Sequence, residues 1–347
     1  MRAPRIVGLA AGLSWALANP VIPADLDSAM VLDAAMDLAA ATDHDPATDH
    51  DAATDHRCPG PAEIALEVQG GMLCATIDDP RAIQPRLLRD WIERSASIVA
   101  GYYARFPAPL VELRIRTAPG EGVRGGRTTN ESGLVIQVTV GRDATADELA
   151  ADWVLVHEMV HLALPELGRS HNWLAEGLAV YVEGIARAQF GNRDIGDVWA
   201  EYRHSMPMGL PRAGEGGMDQ TPTWGRTYWG GALYCLQSDI AIREATGNRI
   251  GLQTALRAIL RETGGYRTER NIDDVLAIGD AATGTRVLED LYVKIKATPQ
   301  MPTSISCGPV SACPTIPSHS PSTTARRWPP SEPPSPPDRP STSPSSK

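Results

Sequence analysis

The segment Trp153-Val-Leu-Val-His-Glu-Met-Val-His-Leu-Ala-Leu164 contains a His-Glu-x-x-His pattern within an otherwise apolar stretch. Its apolar residues recur with helical spacing, and residues four apart lie on the same face of a helix. His157 and His161 could therefore offer two imidazole nitrogens to one metal ion. Glu158 projects beside them, where a water at that ion would lie. The segment predicts a zinc site carried by a helix.

The limits of this helix are indicated by its flanking residues. Thr145-Ala-Asp-Glu148 is a capping box, in which the threonine hydroxyl and the glutamate satisfy backbone N–H groups reciprocally. Pro165 and Gly168 stop the apolar pattern. We therefore expect one helix from Thr145 to about Leu164, followed by a second helix from Asn172 through Glu183.

A catalytic zinc ion needs a third protein ligand besides two histidines. The longer pattern with a third histidine fails, because Leu164 and Leu167 occupy its glycine and histidine positions. His171, in the turn, is one candidate. Glu176 is the stronger candidate, because the 14 residues between His161 and Glu176 suffice for a turn and an antiparallel helix. Gly177 beside it permits close backbone approach.

The pair of motifs, His157-Glu158-x-x-His161 and Trp173-Leu-x-Glu176-Gly, resembles the gluzincin zinc metallopeptidases. The segment is most similar to the peptidase MA-like group, which includes glycyl aminopeptidases and enzymes with a thermolysin-type catalytic domain. The resemblance covers about residues 145 to 260. It implies one catalytic Zn²⁺ held by His157, His161 and Glu176, Glu158 as general base, and a peptide or protein substrate.

A further match to this group lies in Tyr228-Trp-Gly-Gly-Ala-Leu-Tyr234. The resemblance implies that Tyr228 supplies a phenol to the active site, where its hydroxyl could donate to an oxyanion. Tyr181 and Tyr234 are alternatives for this role.

Two departures from the family pattern limit what the resemblance implies. The G-x-M-E-N segment that binds the substrate amino group in the larger aminopeptidases is absent, so removal of N-terminal residues is not supported. Thermolysin-like enzymes carry a carboxylate four residues after the glutamate ligand, a position that Val180 occupies here. Glu183 could instead orient a histidine ligand.

The remaining pattern predicts an α+β fold: a small antiparallel or mixed sheet with a long helix, then a mainly helical half, as in a thermolysin-like zincin domain. A hairpin around Gly70-Gly71, a helix over 85–106 and strands over 110–116 and 134–140 precede the motif. The Gly-rich stretch 119–126 reads as a loop, and strand 134–140 as the edge strand that could pair with an extended peptide. Later helices are expected over 227–246, 252–261, 271–278 and 286–295.

The ends of the chain have different compositions from its middle. Residues 1–18 have the basic start, short apolar run and small-x-small site of a signal peptide, which predicts export to the periplasm or the extracellular space. A repeat of Thr-Asp-His marks 19–57 as a disordered linker, and Pro and Ser mark 299–347 as a disordered tail. The catalytic domain is therefore expected over 58–298.

The net charge limits the kinds of binding partner, and the cysteines bear on whether the protein works in an oxidising compartment. The formal net charge of −10 argues against a nucleic-acid partner, and no later segment is apolar enough to span a membrane. In an oxidising compartment Cys58–Cys74 and Cys307–Cys313 are candidate disulfides, with Cys235 free and buried, although spacing does not decide the pairing.

The leading functional hypothesis is an exported zinc metallopeptidase that hydrolyses peptide bonds with an activated water. Two alternatives remain at this point: a catalytically degenerate protein of the cell envelope that binds zinc or peptide, and a zinc hydrolase of non-peptide amides. The sequence does not indicate the oligomeric state.

Overall fold

The computed structural model describes residues 58, 60–130 and 133–299. The predicted signal peptide, the Asp/His-repeat linker and the second candidate disulfide lie outside these residues, as does the tail from residue 300 onward. Those features stay predictions.

The N-terminal half is built on a five-stranded mixed sheet with the order β1-β2-β3-β5-β4. The hairpin β1–β2 is antiparallel, β3 is parallel to both β2 and β5, and β4 is antiparallel to β5. Helix α1 connects the parallel strands β2 and β3, as such a crossover requires. The elements are β1 (Ile64–Val68), β2 (Gly71–Ile77), α1 (Pro85–Tyr103), β3 (Leu110–Ala118), β4 (Val123–Thr129) and β5 (Val135–Gly141).

The predicted edge strand is wrong. Strand β5, which contains most of residues 134–140, lies between β3 and β4 and pairs on both sides. The edge strand on this side of the sheet is β4, part of which comes from the Gly-rich stretch that reads as a loop. Its sequence Val-Arg-Gly-Gly-Arg-Thr-Thr has no apolar alternation, because most of this strand is exposed and β5 is its only partner in the sheet.

The second half is mainly helical, and with the sheet it confirms the predicted α+β class. It comprises α2 (Ala146–Ala151), α3 (Val154–His161), α4 (Asn172–Gln189), α5 (Ile195–Ser205), a π-helix (Gly225–Gly230), α6 (Gly231–Thr246), α7 (Leu252–Thr263), α8 (Ile272–Thr283) and α9 (Val287–Ile295). Helix α5 was not anticipated. Gly247 ends α6 in the left-handed conformation, at φ 63°.

The predicted single helix over Thr145–Leu164 is interrupted. The capping box of Thr145 and Glu148 begins the short helix α2, and the chain becomes extended at Asp152 (φ −62°, ψ 139°) before α3 begins. The buried Asp152 carboxylate accepts hydrogen bonds from the N–H groups of Val154 and Leu155 and from the Trp91 indole. The motif helix therefore has its own polar N-terminal anchor, which joins it to α1.

One continuous core of buried apolar side chains runs between the sheet, α1 and the helices of the second half. The predicted Cys58–Cys74 disulfide is present at the start of the sheet, and Cys235 is a buried free thiol. Within the part of the chain that the structure describes, every helix is too short or too polar to traverse a bilayer.

Candidate metal centre

His157, His161 and Glu176 form a group whose donor atoms all lie within 4.8 Å of one another. Glu176 Oε2 lies 3.3 Å from His157 Nε2 and 3.6 Å from His161 Nε2. Ligands about 2.0–2.1 Å from a tetrahedral zinc ion lie roughly 3.3 Å apart, so these separations fit such an ion. Two imidazoles and a carboxylate are also the donor types that zinc takes.

The two helices that carry these donors explain how they meet. His157 and His161 are one turn apart on α3, and their rings are in edge contact at 5.0 Å between centroids. Glu176 lies in the second turn of α4, which packs against α3. Trp153, at the start of α3, contacts the His157 ring edge-on at 5.7 Å. Apolar side chains surround the contact between α3 and α4, so charge interactions among His157, His161 and Glu176 are stronger there than in water.

In the absence of metal, the carboxylate and the imidazoles of this group shift one another's pKa values. Burial opposes ionisation of Glu176, but the imidazoles of His161 and His157 hold the pKa of its carboxyl well below the ordinary value. Burial disfavours the imidazolium of His161, but the carboxylates of Glu176 and Glu158 raise its pKa above the ordinary value. The group therefore holds a negative carboxylate that attracts a cation, whether proton or metal.

His157 differs in one respect from the usual zinc histidine. Its Nδ1 atom is buried and has no hydrogen-bond partner among residues 58, 60–130 and 133–299. A ligating histidine usually donates from its second nitrogen to a carboxylate, a carbonyl or a water. Glu183, the sequence-based candidate for such a partner, pairs with the buried Arg187 at 2.8 Å; its role toward a histidine stays a prediction.

Glu158 is 7% exposed and lies against the edge strand β4. The Thr128 hydroxyl is 2.8 Å from Glu158 Oε2 and also 2.8 Å from the Glu158 carbonyl oxygen. Gly126 lies directly beneath the same side chain, because a Cβ on Gly126 would be 2.6 Å from Glu158 Cγ. The carboxylate is thus enclosed between α3 and β4, close to the candidate ligand group of His157, His161 and Glu176.

Tyr228 lies within the π-helix, and its side chain is hydrogen-bonded to Glu176. Its ring stacks on the His157 ring at 6.5 Å and on the Trp224 ring at 6.0 Å. Burial raises the pKa of Tyr228 above its ordinary value, and the nearby carboxylates of Glu176 and Glu158 and a hydrogen bond to Glu176 raise it further. The phenol is therefore a neutral donor beside the metal ligands. Single π-turns of this kind recur at functional sites.

The sequence-based alternatives lie in other surroundings. The His171 ring is 3.2 Å from the Tyr292 hydroxyl and 3.7 Å from the Asp219 carboxylate, and it is not in the metal-ligand group. The Tyr181 hydroxyl donates to Asp239, and the Tyr234 hydroxyl donates to the Leu288 carbonyl. Glu176 and Tyr228 are thus the candidates that the fold brings to the histidine pair.

Three residues at this centre were missed from the sequence: Gly126, Thr128 and Tyr266. The first two lie on β4, which read as a loop. Tyr266 lies in a turn whose N–H donates to the Leu162 carbonyl, just beyond His161, at 3.0 Å. Burial raises the pKa of Tyr266, the carboxylates of Glu166, Glu176 and Glu158 raise it further, and the charge of Arg127 opposes the shift. The preceding glycines, both at positive φ, were the available signal of a tight turn.

No family model and no curated protein match this chain. Its structure is similar to an aminopeptidase N family protein from Idiomarina loihiensis (TM-score 0.46, 12% identity, 59% of this chain and 42% of that one). It is also similar to an M1 zinc metallopeptidase from Deinococcus radiodurans (0.42, 14%, 69% and 52%). A third similar structure is leukotriene A4 hydrolase from Saccharomyces cerevisiae (0.44, 13%, 68% and 38%).

The chain spans between 38% and 52% of the length of these three structures. The function is therefore inferred from the geometry of the site itself.

Proposed function

We propose that this protein is a zinc metallopeptidase that hydrolyses peptide bonds, with His157, His161 and Glu176 as the ligands of one Zn²⁺. The observation that carries the proposal is the convergence of three donor atoms within 4.8 Å. Glu158 follows His157 in the same helix, and Tyr228 is hydrogen-bonded to Glu176. These neighbours support the assignment of Glu158 as the base and Tyr228 as the phenol of the same site.

The proposed chemistry assigns one task to each residue. Zinc, when bound, supplies a Lewis acid that polarises a carbonyl and makes water acidic enough to attack at neutral pH. Glu158 accepts the proton of the attacking water and delivers it to the departing amine. Tyr228 donates its hydroxyl to the carbonyl oxygen as negative charge develops there. Apolar packing around α3 limits access of bulk water to these groups.

The substrate is an extended peptide that pairs with the edge strand β4. This strand pairs with β5 on one side and lies beside Glu158, which accepts a hydrogen bond from the Thr128 hydroxyl. An exposed edge offers backbone N–H and C=O groups to an added strand. Strand β4 replaces strand 134–140 in this role, because the latter is paired on both sides.

Export is part of the proposal. It is supported by the signal-like residues 1–18 and by the Cys58–Cys74 disulfide, which an oxidising compartment would preserve. Expression of the full chain with a C-terminal tag, followed by fractionation, tests this: a protein found only in the cytoplasm, with Cys58 and Cys74 open to thiol labelling, would contradict it.

The central experiment measures metal content and cleavage of casein or a peptide library on the same preparation. We expect about one zinc per chain, cleavage that a chelator abolishes, and recovery on adding zinc. Zinc binding without cleavage would favour the degenerate binding protein. Turnover of simple amides but not of peptides would favour the amide hydrolase, and cleavage by metal-free protein would contradict all three functions.

A further inference from the structure

We propose that strand β4 positions the general base: Gly126 leaves the space in which the Glu158 side chain lies, and Thr128 holds its carboxylate by a hydrogen bond. The catalytic meaning of this inference rests on the proposed function. Gly126 and Thr128 are positioning residues, because both act through Glu158.

The contact with Thr128 restrains the orientation of the carboxylate. The Thr128 hydroxyl carries one proton and lies 2.8 Å from both Glu158 Oε2 and the Glu158 carbonyl oxygen. An ionised carboxylate is the stronger of these two acceptors, so the hydroxyl donates to Oε2. Glu158 is buried, and a buried carboxylate without a donor is costly. The hydroxyl therefore holds one carboxylate oxygen, Oε2, on β4.

The Glu158 side chain also needs a glycine at position 126. A Cβ there would lie 2.6 Å from Glu158 Cγ and 3.0 Å from both Cδ and Oε1. Real Cβ atoms do not approach a neighbour this closely, so the glutamate would have to move. The adjacent Gly125 has nothing within 4 Å of a Cβ built on it. Neither glycine has positive φ, so alanine is conformationally allowed at both positions.

The strand geometry links the two contacts. Residues two apart in a strand point to the same face, so position 126 and the Thr128 side chain both face α3. Arg127, between them, points to the opposite face and is exposed. One strand face thus presents an empty position and then a hydroxyl to the same carboxylate.

The test compares two matched pairs of full-length variants. Thr128→Val removes the hydroxyl while keeping the shape, and Thr128→Ser keeps the hydroxyl. Gly126→Ala adds a methyl group against Glu158, and Gly125→Ala adds the same group to open space. We expect kcat to fall about 10- to 100-fold in Thr128→Val and Gly126→Ala, as for residues that orient a reacting group. Zinc content should be similar in all four variants, and Thr128→Ser and Gly125→Ala should each lose far less kcat than their partner variant.

Crystal structures of the same variants supply a readout that does not depend on activity. The Glu158 carboxylate should leave its position over β4 in Thr128→Val and Gly126→Ala, and keep it in both control variants. Equal losses within either pair, or an unmoved carboxylate, would overturn the inference. If the wild type binds zinc but cleaves nothing, the proposed function fails, while the carboxylate positions still decide whether β4 holds Glu158.

Discussion

Gly177 and Gly231 are in direct backbone contact: a Cβ on Gly177 would lie 2.2 Å from the Gly231 Cα. This contact presses α4 against the junction between the π-helix and α6. Glu176 immediately precedes Gly177, and Tyr228 lies three residues before Gly231. The glycine pair therefore allows the close helix approach that brings Tyr228 within hydrogen-bonding distance of Glu176.

A single methyl group should disrupt this arrangement. Gly177→Ala places a carbon inside the Gly231 backbone, so α4 must shift, and overpacking of this kind typically costs about 1–3 kcal/mol. We expect a lower melting temperature and weaker zinc binding. Gly101→Ala is the control, because its added methyl meets nothing within 4 Å on helix α1; it should stabilise by up to about 1 kcal/mol. Equal thermal stability of the two variants would contradict this view.

Replacing Glu158 by glutamine separates metal binding from proton transfer. Glu158→Gln keeps the shape and can still bond to Thr128, but an amide does not accept the proton of the attacking water. We expect unchanged zinc content and a fall in kcat of about 10²- to 10⁴-fold. Metal analysis and peptide hydrolysis on the same sample provide the measurement; retained turnover would exclude Glu158 as the base.

The third ligand is tested by comparing Glu176→Ala with His171→Ala. Glu176 lies 3.3 Å from His157 Nε2, whereas His171 contacts Tyr292 and Asp219. We expect Glu176→Ala to lose bound zinc on dialysis and His171→Ala to retain it. Equal zinc content in these two proteins would remove Glu176 from the ligand set.

Tyr228 should affect the reaction more than metal binding, and its hydrogen bond to Glu176 makes a smaller effect on zinc affinity expected. Tyr228→Phe removes the donor to the developing oxyanion, which typically costs about 10²- to 10³-fold in kcat. Tyr234→Phe is the matched control, since that hydroxyl donates to the Leu288 carbonyl in the core. Its loss should lower the free energy of unfolding by about 1 kcal/mol and leave kcat unchanged. Similar kinetics in the two variants would argue against an oxyanion role.

The shifted pKa values predict how the stability of the zinc-free protein depends on pH. The pKa of His161 is raised above 6.5, so its contribution is complete below pH 6.5 and is lost as pH rises through the folded-state value. The pKa of Glu176 is lowered below 4.5, so its contribution is complete above pH 4.5 and is lost as pH falls.

Both contributions are complete between pH 4.5 and 6.5, so we expect His161 and Glu176 to stabilise the zinc-free protein most in this interval. Thermal unfolding across pH measures it, with Glu176→Gln as the reference. The difference in melting temperature between wild type and this variant should peak in that interval. A difference that is constant with pH would show that the two groups are not coupled.

Much of the fold was predictable because its signals are local. Apolar periodicity located α1, α4 and the helices after the π-helix, since a helix face is determined by residues three and four apart. The His157–His161 pair followed from the same spacing. The Cys58–Cys74 disulfide was a candidate from its position around the first strand, and the structure contains it.

The interruption at Asp152 and the strand β4 were not predictable in this way. Apolar residues continue from Trp153 onward, so local composition gives no sign that the helix is interrupted. The interruption at Asp152 is held by a buried hydrogen bond from the indole of Trp91, 61 residues earlier. Strand β4 has no apolar alternation, and its existence depends on pairing with β5 and packing against α3. The contact between β4 and α3 joins Thr128 to Glu158, 30 residues later, and local composition does not encode it.

The sequence by itself determined which side chains could bind a metal, because two histidines one helical turn apart must share a face. Tertiary structure decided which carboxylate joins them and what surrounds Glu158. The choice of Glu176 over His171 depends on how α4 packs on α3, and the support from Gly126 and Thr128 depends on an edge strand docked beside the motif helix. Helical spacing is set by the backbone within one turn, whereas these contacts arise only when separate elements bury their apolar faces together.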